Sequence, residues 1–164
     1  MTRHSRIEVR AACPGDADFV RDTMLRTWES PLVAVHGELI DVTTLPALIA
    51  WRDGEPIGLA THRPHPGDSS WEVVSLHAAV AGVGAGTALL DEVARLAKQA
   101  GARRIWLVTT NDNVAALRFY QRHGMDLVAL HRDAVTEGRR VKPSIPPEVD
   151  GIRMRHELEL EWLL

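Results

Sequence analysis

The residues best suited to chemistry fall in two short stretches. In the first, AGVGAGT, Gly82, Gly84 and Gly86 stand among Ala81, Val83, Ala85 and Thr87, directly before a run with helical apolar spacing. Such a turn suits an anion. The first N–H groups of a helix have no partner within it. The helix dipole adds a positive end, worth about 0.3–1 kcal/mol per exposed anionic contact. Glycine lets the main chain approach a ligand and permits positive φ. A nucleoside-triphosphate loop needs a lysine after the last glycine, and Thr87 follows Gly86 directly. A dinucleotide fingerprint begun at Gly82 needs a glycine where Thr87 stands. It also needs an acid after the next strand, where the chain reads Thr109-Thr110-Asn111. A diphosphate held between an antiparallel strand and a helix, as in coenzyme A binding, satisfies the pattern. A glycine-rich loop with no ligand satisfies it too.

The second stretch is NDNVAALRFYQRHGM, residues 111–125. Asn113, Ala116 and Tyr120 are three and four apart and share a helix face. Asn113 and Tyr120 lie two turns apart, about 10.5 Å along the axis. An extended amide-bearing chain gripped at the Asn end would meet the Tyr hydroxyl at its reactive tip. Tyr120 is the only tyrosine.

The elements that must position these residues follow from periodicity. Residues 6–12 alternate and predict a strand. Phe19, Val20, Met24 and Trp28 predict a helix from Asp16, its N-cap, to Trp28. Residues 30–44 have no regular pattern. Residues 46–63 read as a hairpin around Asp53-Gly54, and 65–68 as a second turn into a strand over 69–79. A helix over Thr87–Ala100 has one apolar stripe and an Asp91–Arg95 pair on the other face. A covered strand at 103–111 follows, then a helix over Asn113–His123 and a strand from Met125. Residues 136–151 read as a short helix and loop, with Arg139, Arg140 and Lys142 on a solvated face. The final strand alternates strictly, placing Ile152, Met154, His156, Leu158, Leu160 and Trp162 on one face. Hairpins come first and crossovers later, which predicts a mixed α/β (α+β) sheet carrying helices.

Length 164 predicts a single domain spanning 1–164. A net charge of -3 offers no basic footprint for nucleic acid. No apolar run suits a signal peptide or a membrane span, so a cytoplasmic protein without membrane contact is expected. Cys13 is the only cysteine and reads as an inert, packed side chain. His62 and His65 flank a proline without a regular ligand spacing and read as a solvated loop, so no metal site is predicted.

Trp71 to Met125 resembles the GNAT superfamily of acetyl-CoA-dependent N-acetyltransferases. That family has a strand, then Q/R-x-x-G-x-G/A opening a long helix, then a strand, then N-x-x-A-x-x-[FL]-Y-x-x-x-G-[FM]. Ala81 to Gly86 match the first motif except at Ala81 itself, and Ala78 replaces a frequent proline. Asn113, Ala116, Phe119, Tyr120, Gly124 and Met125 match the second throughout. EVVSL, TTNDN and ALRFYQ are similar to one bacterial branch. The resemblance implies a mostly antiparallel sheet of about seven strands with a splayed strand pair. It implies acetyl-CoA as cosubstrate, held by the main chain of Gly82, Val83, Gly84, Ala85, Gly86 and Thr87 and by Asn113 and Ala116. Backbone N–H groups around Leu76, His77 and Ala78 would hold the pantetheine arm, and Tyr120 would protonate the leaving sulfur. With Gln or Arg replaced by Ala81, one side-chain contact to the diphosphate is lost.

The base is the open position. Period-two alternation places Glu72 with Val74, Leu76 and Ala78 on one face, which makes it the first candidate. Asp112, His77 and Glu157 follow. His36, in the irregular segment that lines the acceptor pocket in the family, joins Asp112 and Glu157 as candidate substrate contacts. The expected acceptor is a small-molecule or peptide amine, and a homodimer fits the exposed alternating strands. A non-catalytic acetyl-CoA sensor is the alternative reading.

Overall fold

The computed structural model describes residues 6–164. The first alternating segment forms β1 (Glu8–Ala11) and the first amphipathic run forms α1 (Ala17–Trp28). Asp16 does not cap α1 with its side chain. It accepts instead from the Cys13 N–H at 2.8 Å and from Arg10 at 2.8 and 3.1 Å, closing the 3-10 turn before the helix. Those donors, Arg10 foremost, hold its carboxyl below the usual range. Cys13 is exposed, not packed, and its thiol donates to Asp16.

The segment without a sequence pattern is a hairpin of β2 (Leu32–Val35) and β3 (Glu38–Asp41). His36 and Gly37 form its two-residue turn with φ of 52° and 75°, the hand that favours tight hairpins. Next come β4 (Ala47–Arg52), β5 (Glu55–His65) and β6 (Ser70–Ala78), joined as expected at Asp53-Gly54 and by a 3-10 turn over Pro66–Asp68. α2 (Ala85–Gln99), β7 (Arg104–Thr110), α3 (Val114–Arg122) and β8 (Asp126–His131) follow. α4 (Ala134–Gly138), a small hairpin of β9 (Glu148–Val149) and β10 (Ile152–Arg153), and β11 (Glu157–Leu163) complete the order.

Seven strands form a mostly antiparallel sheet in the order β1-β4-β5-β6-β7-β11-β8. The contacts gather the chain into two compact units. The first holds the described residues up to 31, 42–105 and 164. In it α2 buries Leu89, Leu90, Val93 and Ala97 against β4, β5 and β6, over a floor of Leu48, Ile49, Leu59 and Ala60. The two leucines and Val93, at about 1.5–3 kcal/mol each when fully buried, fix α2 on the strands. The helix's surface pair differs from expectation: Arg95 binds Glu92 through two bonds of 2.8 and 2.6 Å. The second unit holds 32–41 and 106–163. There α4 packs on β2, where a side chain on Gly138 would reach Ala34 and Ile145.

The carboxy-terminal strand is interrupted. β10 ends at Arg153, and β11 starts at Glu157 with Glu157 and Leu160 buried. The register against β8 shifts between Glu159 and Leu160, leaving Val128 as an extra residue. Strict alternation from Ile152 therefore fails at the break between Arg153 and Glu157, while the bulge on β8 shifts which of its residues face β11.

Candidate active site

The glycine turn lies in the first unit. β6 ends at Ala78, and Gly82 and Gly84 adopt φ of 79° and 87°. Gly84 is the N-cap of α2, and no side chain caps the helix. The N–H groups of its first turn have no intrahelical acceptor. Ala81 and Gly82 are exposed, while Ala85 and Gly86 are buried. The turn therefore presents main-chain donors to solvent and anchors the start of α2 inward.

β6 approaches this turn with a bulge. Thr61 faces Ser75 and His62 faces Val73, so Val74 is the extra residue. Glu72 and Leu76 thus do not share a phase, contrary to simple alternation. The bulge leaves Leu76, His77 and Ala78 paired with Ala60, Leu59 and Gly58, and Ala79 N–H donates to Ile57 at 2.9 Å. The His77 imidazole is 3.2 Å from the Thr27 hydroxyl and meets the edge of Trp28. Burial, aided by Arg26, lowers its pKa and favours the neutral ring.

Glu72 is 1 % exposed. Its Oε2 accepts from Arg63 Nε at 2.8 Å and lies 2.7 Å from His65 Nε2. A buried carboxylate needs such partners. This cluster ties the far end of the β5–β6 hairpin together. His62 and His65 thus belong to a strand and not to a solvated loop. His62 is 5 % exposed, accepts the Trp71 indole N–H at 3.0 Å, and has its pKa lowered by burial. Among the described residues, no three His, Cys, Asp or Glu side chains are grouped to hold a metal ion.

The second unit carries the other motif. Asn113 is the N-cap of α3, its Oδ1 accepting from Ala116 N–H at 3.2 Å. With that oxygen engaged, the side chain's contribution to a ligand is its NH₂ donor. Tyr120 is buried at 8 % exposure, its ring 5.2 Å from Phe119. Desolvation pushes the phenol well above its ordinary pKa, so it stays protonated at neutral pH. Asp112 precedes the helix, and its buried Oδ1 finds no hydrogen-bond partner among the described residues.

The same unit brings His36 and Glu157 together. Glu157, 5 % exposed on β11, has Oε2 3.9 Å from His36 Nδ1. The His36 ring is 5.0 Å from that of Trp106 on β7. Asn111, and two residues the sequence placed on a solvated face, Arg139 and Lys142, tie this unit together. Asn111 accepts from Arg155 and His156 N–H at 2.9 Å each and donates to Arg153 O at 2.9 Å. Arg139 donates to the carbonyls of Ile145, Pro146 and Met154, and Lys142 to Leu32 at 2.7 Å. Arg139 and Lys142 are thus internal ties, and of the three basic residues only Arg140, paired with Glu137, lies on a solvated face. The one legible hint was a basic run before a Pro-rich loop, whose carbonyls need donors.

Comparisons with known proteins place the chain among relatives of one family. The acetyltransferase (GNAT) family model matches residues 17–125. YdhI of Bacillus subtilis (strain 168), an uncharacterized protein, is 37 % identical over 142 residues, 85 % of this chain and 88 % of YdhI. YxbD of the same organism is 32 % identical over 150 residues, 90 % of this chain and 93 % of YxbD. Among solved structures, the IAA acetyltransferase from Bacillus cereus ATCC 14579 superposes with a TM-score of 0.70 at 19 % identity, covering 97 % of this chain and 100 % of that one. An acetyltransferase from Bacillus subtilis in complex with CoA gives 0.67 at 19 % identity, covering 98 % and 99 %. A GNAT family acetyltransferase from Elizabethkingia anophelis with acetyl-CoA bound gives 0.68 at 18 %, covering 96 % and 98 %. No helix among the described residues is long and apolar enough to cross a membrane.

Proposed function

Because this chain belongs to the acetyltransferase (GNAT) family, we propose that it moves an acetyl group from acetyl-CoA to a primary amine by direct attack on the thioester. The observation that carries the reading is the uncapped start of α2 behind two left-handed glycines. Main-chain N–H groups of Gly82 to Thr87 take the coenzyme's diphosphate, aided by the helix dipole. Main-chain N–H groups near Leu76, His77 and Ala78 take the pantetheine arm, and Asn113 and Ala116 serve the coenzyme from α3.

The chemistry needs a neutral amine, since an ammonium has no lone pair. Its nitrogen adds to the thioester carbonyl, a C–N bond forms, the C–S bond breaks, and the thiolate requires a proton. Tyr120 supplies that proton, and its burial keeps the phenol protonated for the task. Glu72 is assigned to anchoring the β5–β6 hairpin, since its Oε2 is engaged by Arg63 and His65.

Thermal unfolding with acetyl-CoA at 100 times its Kd tests the coenzyme half. Stabilisation of about 2.7 kcal/mol is expected. That is about 5–10 °C for a chain of this size. No shift refutes coenzyme binding. Thiol release with an amine panel tests transfer, and stabilisation without thiol release identifies a coenzyme sensor instead.

A further inference from the structure

We infer that β8 is a pairing edge for a second copy of this chain, which adds its own β8 antiparallel to it with the two-fold axis at Ala129. None of the residues involved belongs to the glycine turn or to the Asn113–Tyr120 motif, so the pairing stands or falls apart from acetyl transfer.

β8 ends the seven-stranded sheet and pairs on one side only, with β11. The outward N–H and C=O groups of such a strand are a template for another strand, and edges are ordinarily defended by charge, proline or cover. The edge strand β1 follows that rule, with Glu8 and Arg10 exposed. β8 departs from it. Its residues from Leu127 to Leu130 are all apolar, and Leu127, Val128 and Leu130 are 50, 44 and 57 % exposed. Leu130 stands opposite Leu158, and Leu127 opposite the fully buried Leu160. Residues directly opposite share a sheet face. The apolar strip of β11 thus continues onto β8 and meets solvent at the sheet edge.

Charge identifies the occupant. Asp126 opens β8 and Arg132 directly follows it, both exposed. Among the described residues, neither makes an ion pair or a side-chain hydrogen bond. Six residue steps hold them about 20 Å apart, well beyond the screening length of about 8 Å, so they do not meet within one chain. Antiparallel pairing about Ala129 brings each copy's Asp126 beside the other's Arg132 and sets Val128 against Leu130 twice. A strand with an acid at one end and a base at the other complements itself when reversed, and a two-fold axis supplies that reversal. The bulge at Leu127 and Val128 bends only the entrance of the strand. Ala129, Leu130 and His131 keep regular register opposite Glu159, Leu158 and Glu157. His131, 2.8 Å from Glu159, is tied to its own sheet.

The size of the edge sets the strength of the contact. A ladder over residues 126–132 is about 20–24 Å long, which places the interface at the small end of the specific class. Main-chain bonds formed there replace bonds to water, so the gain comes chiefly from covering Leu127, Val128 and Leu130. A reversible dimer with a Kd in the micromolar range follows, not a permanent one.

The test is sedimentation velocity of the full chain, without ligand, over about 1–500 µM, a range that brackets a micromolar Kd. A concentration-dependent dimer is expected, with hydrogen exchange of the β8 amides slowed at the high end. Leu130→Lys, which installs the charge that natural edges use, weakens association at least tenfold. Asp126→Arg and Arg132→Asp each set like charges together at both ends of the ladder, and each weakens association at least tenfold. Mixing these two variants restores a dimer, because positions 126 and 132 of unlike copies then carry opposite charges at both ends. All three positions are exposed, and the thermal melt of each variant verifies that it folds. A chain that stays monomeric throughout overturns the pairing and leaves this edge to a different protein. A dimer untouched by Leu130→Lys, or charge variants that do not recover on mixing, shows that the copies meet elsewhere and overturns it equally.

Discussion

Gly58→Ala tests whether the packing of α2 on β5 sets the position of the glycine turn. A methyl group at Gly58 would lie 3.0 Å from the His77 carbonyl oxygen, 3.0 Å from Leu89 Cδ1 and 3.5 Å from Ala85 Cβ. Leu89 can adjust, but the carbonyl belongs to the β6 main chain, and Ala85 opens α2. Relief requires β6 or the start of α2 to move by a few tenths of an ångström. Overpacking of this kind costs about 1–3 kcal/mol. The stiffer unfolded chain of an alanine variant offsets about 0.4–1 kcal/mol. The expected net loss is about 1–2 kcal/mol, a Tm lower by about 2–8 °C. Because the displaced group is the end of α2 proposed to hold the diphosphate, the variant's affinity for acetyl-CoA is also expected to weaken. Gly67→Ala is the control: it meets nothing within 4 Å and needs no left-handed backbone. Its stability stays within about 0.5 kcal/mol of the unsubstituted chain or rises. Calorimetry of the three proteins, with and without acetyl-CoA, decides. A Gly58→Ala protein melting within 1 °C of the unsubstituted chain, or equal losses in both variants, refutes the packing argument.

Tyr120→Phe keeps the buried ring and removes the hydroxyl proposed to protonate the sulfur, so kcat is expected to fall about 10²-fold or more while acetyl-CoA affinity holds, read by thiol release and calorimetry. Glu72→Gln breaks a buried ion pair and costs about 2–4 kcal/mol, reduced from the full figure because Arg63 is partly exposed. Its kcat below Tm stays within threefold, and a loss above 100-fold in the folded variant would restore Glu72 as the base. His62 has a folded pKa below its unfolded value, so its contribution is complete above about pH 6.5. The unfolded chain then takes up the proton first, and stability falls as pH drops from 7 to 5. His62→Asn, which keeps an acceptor for Trp71, flattens that slope in urea titrations at stepped pH.

The legible parts of the fold share a cause. Asp53-Gly54 announced its hairpin because both residues belong to the left-handed turn they occupy, and α2 announced itself through a stripe of aliphatic residues. The glycine turn and the Asn113–Tyr120 spacing were legible because main-chain donors and helical period are local properties. The hairpin of β2 and β3 was hidden because its turn opens with His36, where the usual sequence signal is Asn, Asp or Gly. Sequence alternation also assumed unbroken pleats. The bulge at Val74 and the break before Glu157 each reverse the phase, and neither position carries a glycine or proline to mark it. Arg139 and Lys142 resembled solvated cations because their acceptors are carbonyls distant in sequence, which residue type cannot reveal.

The two buried glutamates show how geometry divides roles that residue type leaves equal. Glu72 and Glu157 are both at most 5 % exposed and both approach a histidine. At Glu72 the contacts are 2.8 and 2.7 Å, one of them from an arginine, so charge and hydrogen bonding are satisfied within the hairpin itself. Removing that carboxylate strands a cation, and stability bears the loss. At Glu157 the His36 Nδ1 stands 3.9 Å from Oε2, outside hydrogen-bond reach. Residue type alone therefore does not tell which buried glutamate ties its hairpin, and Glu72 is the one whose two close donors show that it does.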